Sequence, residues 1–323
     1  AEKNIKLNYA LIGAAGYSGL MVWHGGISGS APIKAAEPGH VASLMEGVLS
    51  PDQMAQLPEK VPFSETIFGP MNLVVMLALI ICVPLFMYWL GKRSVETADL
   101  PKVKKDTTVE SDIDEERSLD NSSWFSRTAG ALICAFSVYS LVIFLTTSGT
   151  AFTPNFINLG LFGLCLLLHT NVNAFLKAVD EAIRGAAGIL IQFPLYFGIM
   201  GLMIGSGLIH TFSDFFVEIS SEMSFPIYSF MSAGVVNVFV PSGGGQWGVQ
   251  GPIIIQSAIE LGVSIPKSIM ALAYGDQLTN MLQPFWALPL LGITGLKAKS
   301  ILPYTLGLML VGGTIYLIAL LIF

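Results

Sequence analysis

Residues 237–252 form a polar, glycine-rich stretch that reads Asn-Val-Phe-Val-Pro-Ser-Gly-Gly-Gly-Gln-Trp-Gly-Val-Gln-Gly-Pro. It separates two apolar arms, residues 225–240 and residues 249–261. Backbone inside a lipid bilayer cannot leave N–H and C=O groups without partners, so such a break occurs only where protein or a hydrated cavity surrounds it. The stretch therefore predicts a polar site enclosed between two helices.

Few charged residues accompany the apolar ones: 53% of the 323 residues are hydrophobic and 12% are charged. Soluble domains carry about 25% charged residues, so this composition indicates a membrane protein. The net charge of −6 comes from residues in loops rather than from a basic face, so we expect no nucleic-acid partner. Cys82, Cys134 and Cys165 lie in apolar runs without the spacing of a metal site, and we expect no cofactor there.

Apolar runs long enough to cross a bilayer recur along the chain and predict an all-α, multi-pass membrane protein. The arms of residues 225–262 are too broken for one crossing and too short for two, so we interpret them as a re-entrant hairpin. With residues 91–127 in the cytoplasm, most Lys and Arg residues then lie on the cytoplasmic side. The predicted crossings are residues 7–35 (interrupted), 67–90, 128–147, 155–169, 186–209, 266–295 (interrupted) and 300–323.

The order of predicted elements repeats along the chain, and the two copies cross in opposite directions, which is typical of an inverted-topology repeat. The first copy would need its own hairpin before residue 7, so we expect further segments to precede this sequence. The predicted domains are residues 1–90 (remainder of the first repeat), residues 91–127 (a polar cytoplasmic connector) and residues 128–323 (the second repeat, with its hairpin at 225–262 and its broken helix at 266–295).

The hairpin tip is the first candidate binding site. Pro241 ends the first arm, the glycines let the backbone approach a ligand, and a helix that restarts at Val249 would present free N–H groups to an anion. A glycine-rich helix-packing site is the alternative interpretation. The predicted substrate-binding residues of the tip are Ser242, Gly243, Gly244, Gly245, Gln246, Trp247 and Gln250.

A second polar break lies within residues 23–32, which read Trp-His-Gly-Gly-Ile-Ser-Gly-Ser-Ala-Pro. The glycines are expected to unwind the helix, and the serine hydroxyls can bond a carboxylate or line a cation site. His24 is interpreted either as a proton relay or as a cap on neighbouring carbonyl groups. The predicted substrate-binding residues of this break are Trp23, His24, Gly26, Ser28, Gly29 and Ser30.

A third group of polar residues follows Tyr274 in the last interrupted run. An Asp at membrane depth is costly unless it is paired, protonated or next to a cation. A helical spacing of i, i+3, i+4 and i+7 places the four polar residues on one face, where they could hold a coupling ion, H⁺ or Na⁺. A structural hydrogen-bond network between helices is the alternative. These residues are Asp276, Thr279, Asn280 and Gln283.

The predicted crossings contain no Lys or Arg at depth, so the site offers backbone dipoles and hydroxyls rather than fixed positive charge. Such a site suits one carboxylate better than a dicarboxylate or a phosphate, which call for an arginine fork. Bordering aromatic residues could cover a short apolar tail. The physical chemistry indicates a carrier for a small monocarboxylate and not an enzyme. An intramembrane serine hydrolase at Gly26-Ile27-Ser28-Gly29 and a passive anion channel are the alternatives.

The segments at residues 23–32, 241–252, 273–277 and 280–289 resemble the bacterial short-chain fatty acid transporter family, and the resemblance covers essentially the whole chain. It implies uptake of acids such as acetoacetate or butyrate across the bacterial inner membrane by ion-coupled symport. The family resembles a wider group of inverted-repeat, elevator-type carriers that are often dimeric. The resemblance therefore implies a homodimer with short-chain fatty acid and lipid bilayer as partners.

Overall fold

A computed structural model describes residues 8–94, 122–147, 154–169, 171–283 and 285–323. Within these ranges the regular elements are all helices, which confirms the all-α prediction. A 3-10 turn, Ser18–Met21, extends the first of them. In chain order they are α1 (Tyr9–Tyr17), α2 (Ser30–Ala35), α3 (His40–Leu44), α4 (Pro51–Met54), α5 (Pro70–Arg93), α6 (Ser123–Thr147), α7 (Pro154–Leu168), α8 (Val172–Gly205), α9 (Leu208–Glu218), α10 (Phe225–Phe239), α11 (Gly243–Glu260), α12 (Ile265–Thr279), α13 (Leu288–Thr294) and α14 (Ala298–Ile322).

Three helices in the described part of the chain are long and apolar enough to cross a membrane: Pro70–Arg93, Ser123–Ile143 and Ala298–Ile322. They correspond to the predicted crossings 67–90, 128–147 and 300–323. Their outward side chains include Ile80 and Leu310, both about two-thirds exposed within this chain. Apolar residues exposed in a row along such helices suit a lipid environment, so the chain is that of a membrane protein.

The chain divides into two compact units, one of Ala1–Lys102 with Gly188–Phe323 and one of Val103–Ala187. Helix α8 contributes to both units. Most of the predicted connector 91–127 lies outside the described residues, and the proposed repeat boundaries at residues 90 and 127 remain predictions.

In the unit Val103–Ala187, α6 and α7 pack as an antiparallel pair through small residues. The Ser126 hydroxyl donates to the Leu166 carbonyl at 2.6 Å, near the start of α6 and the end of α7. Further along α6, a Cβ on Gly163 would lie only 2.8 Å from the Cys134 sulfur. Small residues at such contacts let helices approach closely in membranes.

Helix α12 is the centre of the other unit, because residues 268–278 are all buried. Helices α10, α11, α14 and α2 pack around it. The closest approach is at Gly275, where a Cβ would overlap the Phe230 carbonyl oxygen and come within 2.9 Å of the Gly234 nitrogen. Two facing glycines therefore set the distance between α10 and α12.

Three interruptions lie in this unit at the predicted places. Residues 22–29 separate the 3-10 turn from α2 (the first break), residues 280–287 separate α12 from α13 (the second break), and residues 240–242 join α10 to α11 (the hairpin tip). The prediction that the helix restarts at Val249 is wrong. Helix α11 begins at Gly243 because Ser242 caps it, accepting a hydrogen bond from the Gly245 N–H at 3.3 Å.

The segment of residues 36–65 packs against the hairpin. Val41 and Met45 share a buried apolar cluster with Trp247 and Ile254 of α11. The Trp247 indole N–H donates to His40 Nε2 at 3.1 Å, and the two rings are stacked with centroids 6.5 Å apart. His40 Nε2 must therefore carry a lone pair, so this contact requires the neutral imidazole.

Replacing Gly275 by Ala should force α10 and α12 apart, because the new methyl group meets backbone rather than a flexible side chain. Overpacking of this kind costs about 1–3 kcal/mol. The melting temperature of the detergent-solubilised protein should fall. The matched control is Gly201→Ala in α8, whose methyl group would have open space around it. Equal melting temperatures for the two variants would contradict the close contact.

His40 should make the stability depend on pH. Burial lowers its pKa, the nearby Glu37 carboxylate raises it and the Lys34 ammonium lowers it, with a net decrease. The folded-state pKa lies below that of the unfolded chain, so the stabilisation is present above the ordinary value of about 6.5 and is lost as the pH falls below it.

The melting temperature should therefore drop between about pH 7.5 and about pH 5.5 more in the wild type than in His40→Gln. The glutamine amide oxygen can still accept from Trp247 but does not titrate. An unchanged pH dependence in the variant would assign the effect to other groups.

Candidate functional site

The hairpin tip and the first break meet in the fold. A Cβ on Gly243 would lie 2.5 Å from Cη2 of Trp23 and 2.9 Å from Cε1 of His24, so only glycine fits this contact. The next residue, Gly244, is exposed, and a Cβ there would lie 3.7 Å from the Ser30 hydroxyl. The structure thus brings together Gly243, Gly244, Trp23, His24 and Ser30 from two segments far apart in sequence.

The tip presents backbone donors at the N-terminus of α11. Ser242 accepts from Gly245, and the Gln246 N–H bonds the Ser242 carbonyl at 2.7 Å. No partner is described for the Gly243 and Gly244 amides among the residues that the structure covers. Trp23 adds a buried indole N–H, which likewise has no partner in the described part of the chain. Free N–H groups at a helix N-terminus favour an anion through their dipoles.

Three predicted tip residues form hydrogen bonds within the protein. The Gln246 amide N–H₂ donates to the Ala233 carbonyl and to the Gln250 side chain, both at 2.9 Å. Gln250 donates to the Ser232 hydroxyl at 2.8 Å. Together with the Trp247 contact to His40, these bonds fix α11 to α10 and to residues 36–65. Their role in binding stays a prediction.

His24 and Asp276 form a pair of fully buried polar side chains between the first break and α12. His24 Nδ1 bonds Asp276 Oδ2, and His24 Nε2 accepts the Ala31 N–H at 3.0 Å. His24 also stacks on Trp23, with ring centroids 4.6 Å apart. His24 thus bonds a backbone N–H of α2 and an ionisable side chain rather than neighbouring carbonyl groups, and its role as a proton relay stays a prediction.

The geometry does not support a serine hydrolase at the first break. The Ser28 hydroxyl is exposed and donates to the Trp23 carbonyl at 3.1 Å. Both nitrogens of His24 are bonded to other groups, so neither serves as a base for this serine. Gly29 is required for another reason: a Cβ there would overlap the His24 carbonyl. Gly26 accepts the Gly29 N–H in a turn at 3.0 Å.

Side chains from three helices bond the backbone of the first break and of the 3-10 turn just before it. Gln277 of α12 accepts the Gly25 N–H at 2.8 Å, and Asn72 of α5 donates to the Gly25 carbonyl at 2.9 Å. Tyr316 of α14 donates to the Met21 carbonyl at 2.6 Å and accepts from Gln277 at 2.8 Å. Both backbone groups of the buried Gly25, which lies outside a helix, therefore have partners.

The remaining predicted ion-coupling residues form a separate network around the second break. Asn237 of α10 donates to the Thr279 hydroxyl at 2.9 Å and to the Asn280 side chain at 3.1 Å. Gln283 donates to the Asn237 carbonyl at 3.2 Å.

The four polar residues do not share one helical face. Helix α12 ends at Thr279, and the Tyr17 hydroxyl bonds two carbonyls beyond its end, those of Asn280 at 2.9 Å and Gln283 at 3.1 Å. Asp276 faces His24, while the residues after Thr279 belong to the second break.

Four residues that the sequence analysis did not select hold the site together. They are Asn72, Asn237, Gln277 and Tyr316. An amide side chain inside an apolar run is a usable signal, and Asn72 in run 67–90 and Asn237 before the tip both have it. Gln277 adjoins Asp276 but lies off the helical face on which that prediction rests. Tyr316 has no sequence signal of a site residue, because tyrosines are common in apolar helices.

His24 and Asp276 are the ionisable side chains that bond each other at the site. Within the described residues, no Lys or Arg bonds the tip or the pair, and no group of three or more His, Cys, Asp or Glu residues could hold a metal ion. A Na⁺ ion near Asp276 therefore stays a prediction that would depend on neutral oxygen ligands.

Comparisons with known proteins identify relatives along the whole chain. Residues 1–323 match the family described as short chain fatty acid transporter. A relative from Haemophilus influenzae is 37% identical over 97% of this chain and 69% of its own length, and one from Escherichia coli is 34% identical over 98% of this chain and 70% of its own.

Both relatives are provisionally named short-chain fatty acid transporter. No solved structure matches the chain. The names confirm the expectation of a transporter rather than an enzyme, and the extent of the match confirms the resemblance seen in the sequence motifs. The chain belongs to the short-chain fatty acid transporter family.

Proposed function

We propose that the protein carries small monocarboxylates, such as butyrate or acetoacetate, across the bacterial inner membrane by secondary active transport coupled to H⁺ or Na⁺. The single observation that supports this most is the contact between the hairpin tip and the first break, at Gly243 against Trp23 and His24. Two breaks that face each other from different helices are the arrangement in which many transporters bind substrate.

The carboxylate would bind where free donors converge. The amides of Gly243 and Gly244 lie at the N-terminus of α11, the Ser30 hydroxyl lies beside Gly244, and the Trp23 indole N–H is unbonded within the described residues. These are neutral donors, which suffice for one carboxylate. A dicarboxylate would leave its second charge without a cationic partner. The exposed Ile27 of the first break offers an apolar surface for a short tail.

The repeat of broken and intact spans supports an inverted-repeat, multi-pass carrier. In an elevator-type carrier the hairpin, α12 and the first break would move as one body, and their shared hydrogen bonds suit such a motion. In a homodimer, the contacts between the two protomers would stay fixed while this body moves. A passive anion channel is the second candidate function, because broken helices also line channels.

Proteoliposomes that contain the full chain should accumulate labelled butyrate and acetoacetate above the outside concentration when an ion gradient is imposed. Separate inward gradients of H⁺ and Na⁺ identify the driving ion. Protein-free liposomes are the control, because the neutral acids cross lipid unaided. Uptake that stops at equal concentrations under both gradients would point to the channel instead.

Gly244→Ala should weaken binding without unfolding the protein. The methyl group fits beside Ser30 at an ordinary contact distance but fills the space in front of the tip amides. We expect a loss of affinity of about tenfold, or about 1.4 kcal/mol, in butyrate titrations. Gly248→Ala is the control, since Gly248 is also exposed on α11 and has open space around it. Equal affinities for the two variants would show that butyrate does not bind at the hairpin tip.

A further inference from the structure

The buried pair of His24 and Asp276 has an unusual hydrogen-bond pattern. His24 is 0% exposed and Asp276 is 1% exposed, and they bond through Nδ1 and Oδ2. The other carboxylate oxygen, Oδ1 of Asp276, is buried and has no partner among the described residues. Burying a carboxylate oxygen without a hydrogen-bond partner costs free energy, so we expect this atom to bind a ligand.

The Ala31 N–H fixes the protonation state of His24 in this geometry. It donates to Nε2 at 3.0 Å, so Nε2 carries a lone pair. The single ring proton therefore lies on Nδ1, directed at Asp276 Oδ2. His24 is neutral here, and any charge on the pair belongs to Asp276.

Within the described residues, no Lys or Arg forms an ion pair with Asp276. Three buried phenols on α12 and its neighbours donate to neutral oxygens, Tyr17 to Asn280, Tyr274 to Asn72 and Tyr316 to Met21. The basic residues of the packed helices lie away from the pair: Lys267 is about two and a half helical turns from Asp276, and Lys92 and Arg93 lie over the Tyr88 and Trp89 rings at the end of α5. On the adjoining segment, Lys34 bonds the Glu37 carboxylate at the surface and His40 accepts from Trp247. The described residues thus supply no ligand for Oδ1, and solution is the remaining source.

Oxygens on the residues that adjoin the pair in sequence, and on Asn72, already accept hydrogen bonds, which leaves fewer lone pairs for a metal cation. Gln277 Oε1 accepts from Gly25, the Gly25 carbonyl accepts from Asn72, and Asn72 Oδ1 accepts from Tyr274. Asp276 lies inside α12, whose carbonyls bond within the helix. Hard metal cations in proteins take about six oxygen ligands, whereas a proton needs one.

We propose that Asp276 Oδ1 binds the coupling proton, with His24 as the positioning residue that holds the carboxylate. This inference rests on the proposed function and specifies its coupling ion. The proton comes from the aqueous phase on one side, binds Oδ1 and leaves on the other side, while no bond of the substrate is made or broken.

The same geometry explains how proton and acid would be coupled. His24 contacts both Asp276 and Gly243, so the proton site adjoins the proposed anion site through a single imidazole ring. Neutralising Asp276 removes a negative charge from behind the tip, so the anion binds the protonated form more tightly. By linkage, the bound anion strengthens proton binding by the same factor, which is about 5-fold to 150-fold in typical coupled sites. One proton would accompany one monocarboxylate.

The decisive measurement is the affinity of the purified full chain for butyrate as a function of pH, in choline salts and again with Na⁺ added. In the wild type, affinity should fall about tenfold or more towards high pH and should not respond to Na⁺. Asp276→Asn should bind butyrate with no such pH dependence. Butyrate affinity that needs Na⁺, or that is flat with pH in the wild type, would overturn the proposal.

His24→Gln tests the positioning role and also serves if Asp276→Asn does not fold. Its pH profile should keep its shape but shift its midpoint, because Asp276 remains while its partner changes. An unchanged midpoint of the affinity-versus-pH curve would mean that His24 only packs in the fold, which would contradict its positioning role. Melting temperatures of all variants report folding separately.

Transport provides an independent readout. Symport of one proton with one monocarboxylate moves no net charge, so uptake into proteoliposomes should respond to a pH gradient and not to a potassium diffusion potential. Uptake driven by a Na⁺ gradient would refute the proton site and leave the proposed carrier intact. A wild type that neither binds nor transports butyrate would refute the proposed function itself.

Discussion

The structure depends on the requirement that every buried backbone group find a hydrogen-bond partner. Residues 22–29 are not helical and are partly buried, so their N–H and C=O groups cannot pair along a helix. Gln277 and Asn72 bond the N–H and the carbonyl of Gly25 in this segment, and Tyr316 bonds the Met21 carbonyl just before it, each from a different helix. Because those three side chains are also bonded to one another or to shared neighbours, the first break is tied to α5, α12 and α14 as one connected network.

The same requirement shapes the chemistry of the site. Within the described residues, amides, phenols and backbone groups bond the breaks without lysine or arginine, so the donors at the hairpin tip are neutral. The His24–Asp276 pair lies directly behind Gly243. In the proposed carrier, a site of this composition would suit one carboxylate, because a second charge would have no cationic partner.

Sequence patterns located the breaks in the helices but not the side chains that bond them. Glycine clusters and isolated polar residues in apolar runs marked the tip, the first break and the Asp276 region correctly, because each breaks a pattern that a lipid-facing helix must keep. The predicted helix ends were less accurate: α11 starts at Gly243, capped by Ser242, and α12 stops at Thr279, before the predicted polar face ends. The Ser242 cap is a local hydrogen bond, whereas the Asn280 carbonyl beyond α12 is bonded by Tyr17, more than 260 positions away.

Composition and the periodicity of apolar runs were enough to determine a helical membrane protein with broken segments, because hydrophobic length and backbone satisfaction are local properties. Only the tertiary structure decided that His24 pairs with Asp276, that Gly243 rests on Trp23 and His24, and that Gln246 and Gln250 bond α10. These contacts join residues up to 252 positions apart. Which side chains meet across such separations depends on the packing of whole helices, for which a local pattern carries no information.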